Sequence, residues 1–280
     1  MAFKSLLCVV SDMDHCAPAL EHAIAMALAE NDAHLEVLCV GVDLTQVTSY
    51  YAGANAVILQ ETITRALEEA DALKASVSER LNGEAMTWSV STTVAALADL
   101  GRHIAARARF SDMVVLAHPY GEDVGPEHEG IIEATLFEGR APCTVVPNTG
   151  TTNTAPKRIA IGWNESSEAM AAVRAALPLL KQADMVNITV IDPPTHGPNR
   201  SDPGGLLSQF LARHGVNAEI SVLSKTLPRV SDVLKRHLND SQADMLVMGA
   251  YGHSRLREAI FGGATRDMME DCQVPLLLAH

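Results

Sequence analysis

Four glycines carry the spacing in this 280-residue chain that best suits ligand binding. Two residues separate Gly249 from Gly252, and nine more separate Gly252 from the pair Gly262-Gly263. The apolar run Met245 to Met248 leads into them, and a helical pattern over Ala264 to Asp271 follows. Gly249 is expected to end a short buried strand where the backbone turns sharply. Gly252 would let that turn run close to whatever lies above it. Gly262 and Gly263 would open a helix, whose first amides have no intrahelical partner. Such amides, with the positive end of the helix dipole, suit a phosphate group. In an open parallel sheet, ligands bind outside the carboxyl ends of the strands. The competing reading is a strand–loop–helix corner that binds nothing.

A second pattern offers different chemistry. Ser11-Asp12-Met13-Asp14-His15-Cys16 follows an apolar strand-like run. Asp-x-Asp at a strand end resembles the nucleophile motif of haloacid-dehalogenase-like phosphatases, in which one carboxylate attacks phosphorus, the other moves protons and both help hold magnesium. Such enzymes also use a later acidic pair at strand ends, whereas Asp112 and Asp244 precede their strands. Asp12 as the N-cap of a helix is the simpler account. Asp12, Asp14, His15 and Cys16 offer metal-ligating atoms, but near-adjacent residues rarely converge on one ion, and no HxxxH or CxxC accompanies them. No metal site is expected. The C-terminal half has no Walker lysine and no paired carboxylate, so no catalytic residue is assigned and any hydrolysis would be slow.

Composition bounds the rest. The net charge is -13, with 21 Lys and Arg against 34 Asp and Glu. That balance argues against general nucleic-acid or membrane-surface binding, which need a basic face. Arg255, Arg257 and Arg266 nevertheless fall near the glycines. No apolar run approaches the ~20 residues of a membrane span. Met1-Ala2-Phe3-Lys4-Ser5 lacks the separate apolar region of a signal peptide. The five cysteines, Cys8, Cys16, Cys39, Cys143 and Cys272, are irregularly spaced. They read as small buried hydrophobes of a reducing compartment, and a cytoplasmic location is expected.

The elements that must position the glycines alternate along the chain. Strands are expected over Ser5–Val10, Leu35–Val42, Met86–Val94, Asp112–Ala117 and Cys143–Val146. Helices fall between them at Ala17–Leu28, Asn55–Leu81, Ala95–Ala108 and Ile131–Glu138. Residues 148–156 have linker composition, polar and bounded by prolines. The alternation then restarts, with strands over Arg158–Gly162, Val186–Ile191, Ala218–Leu223, Met245–Met248 and Val274–Ala279. This predicts parallel sheets covered by helices. It also predicts two domains, 1–147 and 157–280. Asp112-Met113-Val114-Val115-Leu116 matches Asp244-Met245-Leu246-Val247-Met248, and Ala141-Pro142-Cys143 matches Val274-Pro275-Leu276. One duplicated α/β unit explains both matches.

With the duplication and the glycine spacing G-x2-G-x9-G, the chain resembles a tandem universal stress protein. The resemblance implies two five-stranded parallel-sheet α/β domains, Rossmann-like and similar to adenine nucleotide alpha hydrolases. They would pack as an intramolecular pseudo-dimer through the fifth strands, with Val274–Ala279 pairing its counterpart in the first half. A homodimer and a protein partner of unknown identity are also compatible. The resemblance further implies a stress-response sensor or regulator that binds ATP, with or without Mg2+, in the C-terminal domain. Its nucleotide site would be Asn164, Ile191, Met248, Gly249, Gly252, Gly262, Gly263, Ala264 and Thr265. Ile191 and Met248 would line the adenine, and Asn164 the base and ribose side. Gly263 stands where the family has Ser or Thr, so a hydroxyl is lost, and Thr265 is the nearest substitute. Asn164 stands where the family commonly has Asp. In the N-terminal half Ala117 replaces the first glycine, and Glu122, Asp123, Glu127, Glu129 and Glu133 follow it. That half is expected to bind no nucleotide. The alternative for the whole chain is a stress scaffold that binds no nucleotide.

Overall fold

The structure is a computed structural model describing residues 3–30, 32–43, 55–122, 124–148, 155–193, 202–252 and 263–280. Two compact units emerge: residues 4–141, and residues 142–280 with Phe3. The fifth strand of the N-terminal half, Cys143–Val146, therefore falls in the second unit.

The first unit alternates β1 (Ser5–Val10), α1 (Met13–Ala29), β2 (His34–Asp43), α2 (Asn55–Leu81), β3 (Thr87–Ala96), α3 (Leu97–Ala108), β4 (Met113–Ala117) and α4 (Glu127–Glu133). Its strands lie in the order β3-β2-β1-β4, all parallel. Continuous apolar runs such as Leu6–Val10 are buried, as strands covered on both faces must be.

Two helix starts differ most from the sequence reading, and α3 begins at Leu97 rather than Ala95 because Ala95 and Ala96 end β3. α1 starts at Met13 rather than Ala17, because Asp12 caps it: Asp12 Oδ1 accepts from the His15 amide at 2.6 Å. The helix expected over Ile131–Glu138 starts at Glu127 and becomes a π-helix over Ala134–Glu138. There the buried Thr135 hydroxyl donates to the Ile131 carbonyl at 2.8 Å, and the Gly139 amide reaches back five residues to the Ala134 carbonyl. A side chain that competes for a helical carbonyl favours such an irregularity.

The second unit contains β5 (Cys143–Val146), β6 (Arg158–Gly162), α5 (Ser167–Leu180), β7 (Met185–Ile191), α6 (Gly205–Arg213), β8 (Ala218–Leu223), α7 (Val230–Ser241), β9 (Met245–Gly249), α8 (Ala264–Asp271) and β10 (Leu276–Ala279). Its strand order is β5-β10-β9-β6-β7-β8. The five strands from β10 to β8 are parallel. β5 runs antiparallel to β10, with Leu276 opposite Val145 and Leu278 opposite Cys143. α5 buries Ala172, Val173, Ala176 and Leu180, and α7 buries Val233, Leu234 and Leu238. Each large side chain so buried contributes roughly 1.5–3 kcal/mol.

The duplicated aspartates do one job twice. Asp112 Oδ2 accepts from the Lys4 and Ser5 amides at 2.7 and 3.0 Å. Asp244 accepts from the Lys157 and Arg158 amides, both at 2.9 Å. Each carboxylate tethers the start of its unit's central strand to the strand that follows it. All five cysteines are buried and free. Among the described residues no helix is long and apolar enough to cross a membrane.

Candidate functional site

In the second unit the chain runs from β6 outward to β7 and β8, then returns to the other side of β6 for β9 and β10. The direction of winding thus reverses between β6 and β9, and in open α/β sheets that reversal opens a crevice at the carboxyl ends. An open cleft with about 530 Å³ of empty space lies there. It is lined by Asn164, Ile191, Met248, Gly249 and Ala264 of the expected site, together with Gly162, Trp163, Thr189, Val230 and Leu234.

Each lining residue has a local reason for its place. Met248 is buried at the end of β9. Gly249 cannot carry a side chain: a Cβ there would lie 2.4 Å from the Ala169 amide nitrogen and 2.7 Å from the Glu168 carbonyl carbon. Close approach to the start of α5, rather than a turn conformation, requires this glycine. Asn164 Oδ1 accepts from the Ser166 amide at 3.1 Å, and Ser166 in turn caps α5 by accepting from Ala169. Asn164 is therefore fixed by a local turn as it faces the cleft.

The remaining expected residues lie around this core. Gly263 is the N-cap residue of α8, and no side chain among the described residues caps that helix. Thr265 is buried, and its Oγ1 accepts from the Tyr251 amide at 3.2 Å. Its hydroxyl closes the corner from within. Gly252 is exposed, and among the described residues a Cβ there would meet only the Glu168 carboxylate, at 3.6 Å. Gly262 lies outside the described residues, as do Arg255 and Arg257. Arg266 pairs with Glu270 at 3.0 Å.

Backbone conformation marks the same rim. Glu165, Asp192 and Tyr251 have φ of 62°, 49° and 55°. They follow β6, β7 and β9, the three strands whose ends line the cleft. Left-handed non-glycine residues carry strain and gather at ligand sites. A neighbouring cleft shares Val230 and Ala264 and adds Lys225, Arg229, Ser231 and Asp267. Asp267 there accepts from the Ser231 hydroxyl at 2.8 Å and pairs with Arg229 at 3.3 Å.

The sequence did not single out Thr189, Val230 or Leu234. Val230 and Leu234 stand four apart on α7, a spacing that announces a shared face but not what the face covers.

In the first unit, the equivalent reversal lies between β1 and β4. It gathers polar groups instead of apolar ones. His128 Nε2 lies 3.1 Å from Ser11 Oγ, 3.4 Å from Asp12 Oδ2 and 3.8 Å from Cys16 Sγ. Cys16 and His128 are buried, while the Asp12 side chain is 42% exposed. Burial pulls the His128 imidazole down, but bonding to Asp12, Cys16 and Glu127 outweighs it and pushes the group up to about 11. Hydrogen bonding to His128 holds the Asp12 carboxyl below its ordinary range. Asp14 is exposed and stands outside this cluster. The His15 and His128 rings meet at 88°, with centroids 4.7 Å apart.

The comparisons with known proteins agree with this architecture. Residues 156–280 match the model of the universal stress protein family. Universal stress protein Slr1230 of Synechocystis sp. (strain ATCC 27184 / PCC 6803 / Kazusa) is 28% identical over 88 residues. The match covers 30% of this chain and 30% of that relative. Among solved structures, a universal stress protein from Archaeoglobus fulgidus DSM 4304 is similar with a TM-score of 0.74 at 13% identity, covering 100% of this chain and 96% of that one. A protein of Pseudomonas aeruginosa UCBPP-PA14 is similar with a TM-score of 0.61 at 15% identity, over 99% and 93% of the two chains. These likenesses establish a common α/β fold. The domain at residues 156–280 is thus similar to universal stress proteins, and the chain as a whole shares their fold.

Proposed function

We propose that the C-terminal domain binds an adenine nucleotide and that the protein acts as a nucleotide-responsive regulator in the stress response. The observation that carries this reading is the cleft at the β6/β9 reversal, where Ile191, Met248, Trp163, Val230 and Leu234 meet beside the start of α8, whose N-cap is Gly263. The apolar side chains suit a flat base. Asn164 supplies polar contacts at the base and ribose. The amides of Gly263, Ala264 and Thr265, with the neighbouring corner at Gly249 and Gly252, suit phosphate oxygens, and Gly262 completes the glycine set in the sequence. Thr265 serves by holding the corner, and its hydroxyl is bonded to Tyr251. The N-terminal half, with Ala117 and its acidic loop, binds no nucleotide and supports the other half. The domains of this reading are 1–147 and 157–280, joined by 148–156.

Binding to the native state raises its stability by mass action. ATP with magnesium at millimolar concentration should therefore raise the melting temperature of the full chain. Gly262→Val together with Gly263→Val should abolish that rise and leave the circular dichroism spectrum unchanged. Absence of any rise with the unaltered chain would overturn the proposal and leave the scaffold reading.

A further inference from the structure

The polar cluster at the β1/β4 reversal has no part in nucleotide binding, and its chemistry is of a different kind. Asp12, Cys16 and His128 each offer one ligating atom, and these atoms lie within 4.8 Å of one another. We propose that they form a binding site for one divalent transition-metal ion of the zinc type. The N-terminal half would then use for a metal the position that its C-terminal counterpart keeps for an organic ligand.

Geometry carries the argument. Zinc takes thiolate sulfur at ~2.3 Å and imidazole nitrogen or carboxylate oxygen at ~2.0–2.2 Å, in a tetrahedron. Ligand atoms around such an ion are therefore roughly 3.4–3.6 Å apart. In the structure Asp12 Oδ2 lies 3.4 Å from His128 Nε2. Cys16 Sγ lies 3.8 Å from that nitrogen and 4.0 Å from Asp12 Oδ2. Closing this triangle onto an ion requires the sulfur to move by a few tenths of an ångström.

The surroundings prepare the three groups. The two oxygens of Asp12 divide their work: Oδ1 caps α1 through the His15 amide, which leaves Oδ2 aimed at the cluster. Cys16 sits one turn into the same helix and projects to the same side. His128 Nδ1 lies 3.3 Å from the Gly125 carbonyl and 3.4 Å from Glu127 Oε1. A ligating histidine almost always hands its second ring nitrogen to such an acceptor, which fixes the ring and the tautomer. Ser11 Oγ, 3.1 Å from His128 Nε2 and 3.8 Å from Cys16 Sγ, stands where a fourth ligand or a bound water belongs. The partly exposed Asp12 gives an entry path. A thiolate with an imidazole selects zinc or cobalt over magnesium or calcium, which take oxygen ligands.

The test uses the untagged full chain, treated with chelator and titrated with Zn2+ and Co2+. One equivalent should bind and raise the melting temperature. The Co2+ form should show a thiolate-to-metal charge-transfer band and the intense visible bands of tetrahedral cobalt. Cys16→Ser, which differs by one atom, should abolish the charge-transfer band, and His128→Gln should weaken binding at least tenfold. The circular dichroism spectrum of each variant checks that it folds. Failure of the unaltered chain to bind either ion would overturn the proposal and leave an imidazolium–carboxylate pair buried beside a thiol. Binding that persists with its charge-transfer band in Cys16→Ser would overturn it equally, since another cysteine would then hold the ion. Neither readout depends on ATP, so this result and the nucleotide result stand apart.

Discussion

The Tyr251 amide donates to Thr265 Oγ1 at 3.2 Å, across 14 residues of chain. One end of this bond is a half-buried residue in a left-handed conformation, and the other is a buried hydroxyl. The bond joins the corner after β9 to the first turn of α8. It keeps both sides of the cleft's glycine segment in register. Thr265→Val preserves the shape and removes the acceptor. A hydrogen bond of this kind contributes about 0.5–1.5 kcal/mol. Urea denaturation should show a loss of that size, together with weaker ATP binding. Thr265→Ser retains the acceptor and should restore most of both.

The two glycines of the first turn are not equivalent. Gly249→Ala drives a methyl group against the backbone of Glu168 and Ala169, and overpacking of this kind costs about 1–3 kcal/mol. Among the described residues Gly252→Ala meets only the end of a flexible side chain, and substitutions at such sites stay within about 0.5 kcal/mol. Thermal or urea unfolding of the two variants should separate them clearly. Equal losses would mean that the turn itself, rather than the start of α5, demands glycine.

His22 makes acid a selective stress on the first unit. It lies on the buried face of α1 at 1% exposure, and neither ring nitrogen has a hydrogen-bond partner among the described residues. Burial pulls its ionisation from 6.5 down to about 4. Between those values the unfolded chain binds a proton that the native chain refuses. Stability is therefore complete above about pH 6.5 and falls as pH drops toward about 4. His22→Leu removes the orphaned nitrogens and should stabilise the protein by about 1–3 kcal/mol at neutral pH. Its advantage should widen by about 2 kcal/mol at pH 5. Denaturation curves for both proteins at the two pH values test this, and an advantage independent of pH would refute it.

Much of the architecture was legible because it is written in local pattern. Apolar runs such as Leu6–Val10 and Met245–Met248 become central strands, since only buried parallel strands tolerate unbroken hydrophobicity. The paired motifs at Asp112 and Asp244 marked a repeat, and the structure gives each aspartate the same two-amide tether. The reversed direction of β5 was not derivable from composition or periodicity, and the expectation that it pairs with the last strand came from family resemblance. The π-helix at Ala134–Glu138 depends on a bond made by Thr135, which no spacing reveals.

The sites were legible in unequal measure. Gly249, Met248 and Ala264 could be found because strand end, loop and helix start are consecutive in the chain. Val230 and Leu234 could not, since the cleft borrows them from α7. His128 escaped for a stronger reason: it lies 112 residues from Cys16. Only the adjacency of β1 and β4 in the sheet brings those two residues together, and sequence spacing carries no trace of that.

The antiparallel seam between β5 and β10 has a consequence for dissecting the molecule. A fragment starting at Arg158 would keep every strand from β6 to β10 but lose Cys143–Val146. The backbone amides and carbonyls of Leu276–Leu278 that face β5 would then be left bare. An uncovered apolar edge is a template for another strand. The most accessible one would be the same edge of a second fragment, turned head to tail. Cutting the chain just before Arg158 would therefore trade a joint within one molecule for a joint between two.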